Sequence, residues 1–119
     1  MDPLMKSDEP ETVICTYRVK RGKEGEFLDL LEQHWPTLRK AGLATDEPPR
    51  IYRGSDESGN PFFMEIFTWV NGKGAASAHE TPEVMAIWEP MGAITEARDG
   101  RPAMEFPNVK PIAMSFAPA

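Results

Sequence analysis

Hydrophobic residues occupy both alternating positions along one stretch of the chain, residues 61–70, which reads PFFMEIFTWV. One alternating set is Phe62, Met64, Ile66, Thr68 and Val70, and the other is Phe63, Glu65, Phe67 and Trp69. A strand on a solvated sheet face has only one apolar set, so this pattern predicts a strand that is covered on both faces. Glu65 lies among three aromatic residues, and a carboxylate in such a place must be paired, hydrogen-bonded or functional.

Strand and helix patterns alternate through the rest of the chain. β-Branched and aromatic residues predict further strands near residues 12–19, 49–55 and 102–107. Between the first two, apolar residues at the i, i+3, i+4 spacing predict a long helix over residues 24–41. Pro36 lies inside this helix and is expected to kink it, and Gly42 is expected to end it.

Two shorter helices are predicted after the central strand. The Asn71 side chain is expected to cap an alanine-rich helix that ends at His79. Thr81 is the expected N-cap of the next helix, with Pro82 at its first position, and Pro90 is expected to bend or end that helix. Asp99-Gly100 predicts a tight turn before the last strand.

The predicted order of elements is β, α, β, β, α, β, which indicates an α+β, ferredoxin-like fold. This fold has a four-stranded antiparallel sheet with both helices on one face. The second apolar face of residues 61–70 then needs a cover, and a second copy of a chain this small is the simplest one. We therefore expect a homodimer joined through the sheet face, that is, a dimeric α/β barrel.

The length of 119 residues indicates one domain. We expect a flexible N-terminal leader over residues 1–11, the ferredoxin-like dimeric α/β barrel domain over residues 12–107, and an extended C-terminal arm over residues 108–119. The arm has apolar patches and prolines, which suits contact with a partner better than a central strand. No signal-peptide pattern and no 18-residue apolar run are found, so we expect a cytoplasmic protein.

Charge and residue counts exclude several kinds of partner. The net charge is −6 and no long basic cluster occurs, so neither nucleic acid nor a membrane surface is an expected partner. With one cysteine, Cys15, the chain has no intramolecular disulfide and no multi-cysteine metal site. Two histidines without a paired ligand spacing predict no metal site. Cys15 is interpreted as a core residue.

A short set of residues resembles a known family. Its members here are Glu65, Trp69, Asn71-Gly72, Ala75, Ala78-His79 and Pro82-x-Val84. Together with the strand order, these residues resemble the small dimeric α/β barrel proteins related to the antibiotic biosynthesis monooxygenases. The resemblance implies a ferredoxin-like fold and a dimer. It leaves the reaction open, because such barrels include cofactor-free monooxygenases, haem-degrading monooxygenases, lactone isomerases and proteins without known activity.

The resemblance implies no cofactor, because the Asn, Trp and His set that resembles a haem-degrading site is not found in the expected positions. One functional interpretation is therefore a cofactor-independent monooxygenase-like enzyme that acts on a small, flat aromatic or apolar molecule. A deprotonated substrate would itself react with oxygen there, so the protein need supply only a base and a desolvated cavity. The alternative is a non-catalytic dimer that binds a ligand or has a structural role.

The candidate catalytic residues are Glu65, His79 and His34. Glu65 is either a general base with a raised pKa or a structural partner of Arg18, Arg50 or Arg53. His79 either lines a pocket or makes structural hydrogen bonds, and His34 is expected as a partly exposed residue on the helix flank. The candidate substrate-binding residues, which are interpreted first as core, are Trp35, Tyr52, Phe63, Phe67, Trp69 and Trp88.

Overall fold

A computed structural model describes residues 8–118 of the chain. Its elements are β1 (Glu11–Arg18), α1 (Glu24–Lys40), β2 (Arg50–Ser55), β3 (Pro61–Trp69), α2 (Gly74–His79), α3 (Pro82–Ala93), β4 (Met104–Glu105) and β5 (Asn108–Val109). The predicted strands and helices are all found within a few residues of their expected bounds. Residues 1–7 of the predicted leader lie outside the described residues.

The strands form one antiparallel sheet in the order β2-β3-β1-β4, and β5 pairs with β1 next to β4. In the long β1–β3 pairing, Cys15 lies opposite Glu65 and Tyr17 lies opposite Phe63. Paired residues point to the same face of a sheet. One face is therefore formed by the buried side chains Glu11, Val13, Cys15, Tyr17, Phe63, Glu65, Phe67 and Trp69.

The helices cover this buried face, and α1 and α3 pack against each other. The apolar stripe of α1, formed by Phe27, Leu31 and Leu38, joins the core with Val84 and Met91 of α3. The predicted α+β, ferredoxin-like fold, with its helices on one face of an antiparallel sheet, is confirmed.

On the opposite face of the sheet, no helix of residues 8–118 is found. We call it the open face, and its half-buried side chains in β1 and β3 are Thr12, Ile14, Thr16, Phe62, Met64, Ile66 and Thr68. Tyr52 of β2 pairs with Met64 and belongs to the same face. In β1 and β3 the open face is thus mainly a surface of aliphatic, aromatic and threonine side chains. Arg18, opposite Phe62, and Arg50, opposite Ile66, lie on the same face.

The starts of two helices differ from expectation. Thr81 is the N-cap residue of α3, but its side chain makes no capping hydrogen bond. Its Oγ1 donates instead to the carbonyl oxygen of Ser77 at 2.8 Å, which ties α3 to the end of α2. Asn71 does not cap α2 directly, since its Oδ1 accepts from the backbone N–H of Lys73 and shapes the turn before that helix. Pro90 does not end α3, which continues to Ala93.

The turns at Gly42 and Asp99-Gly100 follow the expectation. Gly42 has a φ of 77° just after α1, a conformation that glycine adopts at low cost. Asp99 and Gly100 both have positive φ, and a β-bridge joins Arg98 to Arg101 across them. Within residues 8–118, none of the helices has the length and apolar character needed to cross a membrane.

Candidate functional site

Four polar side chains form a continuous hydrogen-bonded chain inside the core, between the sheet and the helices. The Tyr17 hydroxyl donates to Oε1 of Glu65 at 2.7 Å. Nδ1 of His34 lies 2.8 Å from the same oxygen. On the other side of the imidazole ring, Nε1 of Trp88 donates to Nε2 of His34 at 2.8 Å. We call Trp88, His34, Glu65 and Tyr17 the polar network.

The indole nitrogen of Trp88 sets the direction of every hydrogen bond in the polar network. An indole N–H can only donate, so Nε2 of His34 must be an acceptor. A neutral imidazole then carries its proton on Nδ1, which donates to Glu65. Oε1 of Glu65 therefore accepts two hydrogen bonds, from His34 and from Tyr17. This arrangement is suited to a carboxylate.

The polar network is enclosed. Glu65 and Tyr17 are 0% exposed, and His34 is 1% exposed. Oε2 of Glu65 is buried and has no hydrogen-bond partner among the described residues. A buried acceptor without a partner is costly, and in native proteins it calls for an explanation such as a catalytic role or a bound molecule.

Burial keeps the neighbouring acids in their neutral forms. Desolvation raises the pKa of Tyr17 well above its ordinary value, and nearby Cys15 and Glu65 add to the shift. Desolvation also raises the pKa of the Cys15 thiol, with a further contribution from Glu65. Tyr17 therefore acts as a hydrogen-bond donor. Cys15 is an unreactive core thiol, as expected from the sequence.

Each member of the polar network is placed by the fold of its own element. The β1–β3 register puts Glu65 between Phe63 and Phe67 on the helix-covered face. His34 is three residues after Leu31 and four before Leu38, so it lies on the buried stripe of α1. The expected partly exposed position of His34 is wrong for this reason.

The structural alternative for Glu65 was a pair with an arginine. No such pair forms among the described residues. Arg18 lies opposite Phe62 and Arg50 lies opposite Ile66, so both are on the face of the sheet that is turned away from Glu65. Arg18 pairs with Glu105 of β4, and Arg53 pairs with Glu24 at the start of α1. His34 and Tyr17 take the place that the sequence suggested for an arginine.

The candidate substrate-binding aromatics fall into two groups. Those that belong to the buried core are Phe63, Phe67, Trp69 and Trp88. Trp35 is half-buried on the outer side of α1, with the Arg39 guanidinium over its ring. Tyr52 is 50% exposed on the open face, so the sheet separates it from the polar network.

His79 lies at the end of α2 and is exposed. Its ring meets that of Trp88 edge-on at a centroid distance of 4.9 Å. His79 therefore contacts the polar network through an aromatic ring and not through a hydrogen bond.

Two residues at this site escaped the sequence analysis. Tyr17 was assigned only to a strand, although its buried alternating position could have indicated a partner for Glu65. Phe106, between β4 and β5, is half-buried, and its ring stacks on Trp88 and meets Tyr17 edge-on. Phe106 thus covers both ends of the polar network.

Two cavities lie elsewhere on the molecule, and neither is lined by Glu65 or His34. One of about 830 Å³ is on the open face near the β2–β3 turn, where Arg18, Arg98 and Arg101 mix with four acidic residues. The other, of about 310 Å³, lies between α1 and β2. Within residues 8–118, no group of three or more His, Cys, Asp or Glu side chains is arranged to hold a metal ion.

Comparisons with known proteins identify the fold. No protein-family model matches the chain, and no curated protein matches it by sequence. Several solved structures are similar. A protein from Nitrosomonas europaea, provisionally named an antibiotic biosynthesis monooxygenase, has a TM-score of 0.64 at 12% identity, over 87% of this chain and 91% of its own.

Two more structures extend this similarity. SnoaB, a cofactor-independent oxygenase from Streptomyces nogalater, gives a TM-score of 0.63 at 15% identity, over 89% of this chain and 96% of that one. A NIPSNAP family protein from Agrobacterium tumefaciens gives 0.60 at 13% identity, over 90% of each chain. These identities are low and carry information on the fold alone. The chain therefore has the ferredoxin-like fold of the antibiotic biosynthesis monooxygenase-like proteins.

Proposed function

We propose that this protein is a cofactor-independent, monooxygenase-like enzyme that acts on a small, flat aromatic or apolar molecule. The observation that carries the proposal is the unpaired Oε2 of Glu65, buried next to the hydrogen-bonded Oε1. A carboxylate oxygen without a donor, in an apolar surrounding, is a proton acceptor ready for a substrate hydroxyl. Similar folds include an oxygenase that works without a cofactor, SnoaB.

In this proposal the polar network supplies the base and the apolar core supplies the desolvated surrounding. Oε2 of Glu65 removes a proton from the substrate. Tyr17 and His34 hold Oε1 of Glu65 in place by their hydrogen bonds. Trp88 acts one step further away, by fixing the His34 proton on the side of Glu65. The deprotonated, electron-rich substrate would then react with oxygen itself, and exclusion of water protects that step.

Phe106 is the proposed point of entry. Its half-buried ring contacts both Tyr17 and Trp88, and it lies in the link between two strands of only two residues each. Such short strands make few hydrogen bonds and open at low cost. Displacement of Phe106 would let a flat aromatic molecule stack on Trp88 and reach Glu65.

The test compares Glu65→Gln with the unchanged protein. Oxygen uptake and binding are measured over a panel of phenolic polycyclic compounds, together with thermal unfolding. We expect Gln to abolish turnover and to keep the fold, because its amide oxygen still accepts from Tyr17 and His34. The change in unfolding free energy should stay within about 2 kcal/mol. Glu105→Gln, a partly exposed carboxylate of β4, is the matched control and should leave turnover unchanged.

One outcome of this test would contradict the proposed catalytic role of Glu65. If Glu65→Gln strongly destabilises the protein while ligand binding and oxygen uptake do not change, the catalytic role of Glu65 is wrong. A non-catalytic, ligand-binding or structural protein is then the better description. The enclosure of the polar network favours this second candidate, because 0% exposed groups reach a ligand only after the core opens.

The homodimer belongs to the same proposal. We infer that two copies pack through their open faces, since Ile14, Phe62, Met64 and Ile66 form an apolar surface without a helix on it. Surfaces of this kind on small proteins mark association sites. The cytoplasmic location expected from the sequence stays a prediction.

A further inference from the structure

The larger cavity lies on the open face, so the sheet separates it from the polar network. Its volume of about 830 Å³ is in the range of pockets that hold small organic molecules. Its floor is formed by Thr16, Phe62 and Met64, near the end of the sheet where β1 ends and β3 begins. Two loops form its walls, residues 55–58 at the end of β2 and residues 98–101 before β4. We call this space the loop cavity.

A glycine in β2 gives the loop cavity its aromatic floor. Gly54 lies opposite Phe62 in the β2–β3 pairing. A Cβ at position 54 would be 2.3 Å from Cζ of Phe62, so the ring leans across the sheet onto the Gly54 backbone. Aromatic rings cover glycines of neighbouring strands in this way. Because the ring lies low on the sheet, the space above it stays open.

Arg98 holds the two loops in place. Its guanidinium donates to the carbonyl oxygen of Pro61 at 2.9 Å and to that of Val19. The same group lies 3.7 Å from Asp56, and the Arg98 side chain is only 8% exposed. Oδ1 of Asp56 also accepts two backbone N–H groups of its own loop. The charges of Arg98 and Asp56 are therefore used within the protein.

Three other charged side chains of the loop cavity are not used in this way. Arg101, Glu57 and Asp99 make no ion pair and no side-chain hydrogen bond with any of residues 8–118. Arg18, by contrast, pairs with Glu105 at 2.5 Å. One free guanidinium and two free carboxylates thus surround an apolar floor. Such a cavity is suited to a ligand that has an aromatic body and charges of both signs.

We propose that the loop cavity binds a zwitterionic aromatic amino acid. The ring of the ligand lies on Phe62. Its carboxylate meets the guanidinium of Arg101, and its ammonium group meets the carboxylates of Glu57 and Asp99. An aromatic acid without an amine would face two carboxylates without an opposite charge, and an aromatic amine would leave Arg101 unpaired. This inference goes beyond the proposed function, because it concerns a second site on the other face of the sheet.

The loop cavity does not depend on the proposed homodimer. Ile14 lies opposite Ile66 near the middle of the β1–β3 pairing. Arg18 and Phe62 end that pairing four residues further along the two strands. The charged loops therefore lie towards one end of the open face and not at its centre.

Isothermal titration calorimetry with three related compounds tests the proposed ligand class. The probe is L-tryptophan, and the two controls are indole-3-propionate, which lacks the amine, and tryptamine, which lacks the carboxylate. We expect L-tryptophan to bind and each control to bind about tenfold more weakly or worse, because each loses a charge-assisted contact. Equal binding of either control overturns the zwitterion, and no binding of L-tryptophan overturns the site.

Two variants test the place of binding. Gly54→Ala forces the Phe62 ring up into the loop cavity, and Arg101→Gln removes the free guanidinium. Each should weaken binding of L-tryptophan by about tenfold or more. Lys40→Gln removes a positive charge at the end of α1 and is the matched control, with unchanged affinity expected. Thermal unfolding checks the fold of each variant, and Arg101→Gln at an exposed position decides the test if Gly54→Ala does not fold.

Glu65→Gln separates this site from the proposed enzyme function. It should bind L-tryptophan as the unchanged protein does, because Glu65 lies on the other face of the sheet. Weakened binding in Glu65→Gln would place the ligand in the core and overturn the inference. Unchanged binding in Arg101→Gln would do the same. Loss of turnover in Glu65→Gln with full L-tryptophan affinity is the result expected when both proposals hold.

Discussion

At the scale of single residues, the direction of the hydrogen bonds in the polar network depends on Trp88. The indole N–H of Trp88 is a donor only, and it meets the one free lone pair of the His34 ring. A substitution that removes this donor leaves a buried acceptor without a partner. The cost of that loss can be measured by comparison with Trp35, whose indole N–H is buried without a hydrogen-bond partner among residues 8–118.

We expect Trp88→Phe to lower the free energy of unfolding by about 1–3 kcal/mol beyond the effect of the smaller ring. Trp35→Phe is the matched control, because Nε1 of Trp35 has no partner to lose. Urea unfolding of both variants measures the difference. Equal losses would show that the hydrogen bond to His34 contributes nothing to stability.

The raised pKa of Tyr17 predicts how stability changes in alkali. In the unfolded chain the phenol ionises near its ordinary value of 10.0, whereas the folded protein keeps it protonated to higher pH. The folded state therefore binds the proton more tightly, and stability is full below that value and falls above it. The slope is about 1.4 kcal/mol per pH unit for this one group.

Tyr17→Phe should remove this part of the alkaline loss, and urea unfolding between pH 8 and 11 measures it. Tyr52→Phe, at an exposed tyrosine, should leave the slope as it was. The raised pKa of Cys15 acts in the same direction from its ordinary value of 9.0, so a smaller slope remains in Tyr17→Phe. An unchanged slope in this variant would contradict the assignment.

At this scale the sequence showed that Glu65 is unusual, but it did not show which residues Glu65 contacts. Glu65 could be singled out because a carboxylate among aromatics breaks the strand pattern. Its partners could not, because Tyr17 and His34 lie 48 and 31 residues away along the chain. His34 was given the wrong environment, since a position near the edge of a helical stripe is buried or exposed according to what packs beside it.

At the scale of elements, close packing between α2 and β3 requires a glycine at position 74. A Cβ at Gly74, the first residue of α2, would lie 2.3 Å from the buried ring of Trp69. Trp69 is 2% exposed and has little room to move. Overpacking of this kind costs about 1–3 kcal/mol.

Gly74→Ala is therefore expected to destabilise the protein by about that amount, although alanine is the better helix former. Gly92→Ala in α3 provides the control, because its Cβ would meet nothing within 4 Å. That change should stabilise the protein by about 0.5–1 kcal/mol. Thermal unfolding measures both, and a stabilised Gly74→Ala would show that Trp69 moves aside easily.

The long elements were predictable from their periods, α2 and β4 were predicted from composition and turn residues, and β5 was not predicted. The nine residues of β3 and the seventeen of α1 show their periods clearly. By contrast, β5 has two residues, too few to display any period, and its pairing with β1 is decided by the whole sheet. The missing Thr81 cap has a similar cause, because Ser77 of the preceding helix competes for the hydroxyl.

At the scale of the whole molecule, the proposed homodimer depends on the open face. Ile14→Glu places a charge in the centre of that face, where the proposed interface would bury it. We expect this variant to sediment as a monomer at concentrations where the unchanged protein is a dimer. Ala86→Glu, on the exposed side of α3, should leave the dimer intact. Dimers in both variants would place the interface elsewhere.

The wide spacing of the polar network along the chain has a consequence for folding. Tyr17 and Glu65 are 48 residues apart, and His34 and Trp88 are 54 apart. Contacts between such distant positions close large loops, so they slow folding and cannot form from a local fragment. Until β1 has paired with β3 and helices α1 and α3 have packed against the sheet, the Glu65 side chain remains in contact with water. The unpaired oxygen that makes this residue a candidate base is therefore created by the final packing of the chain.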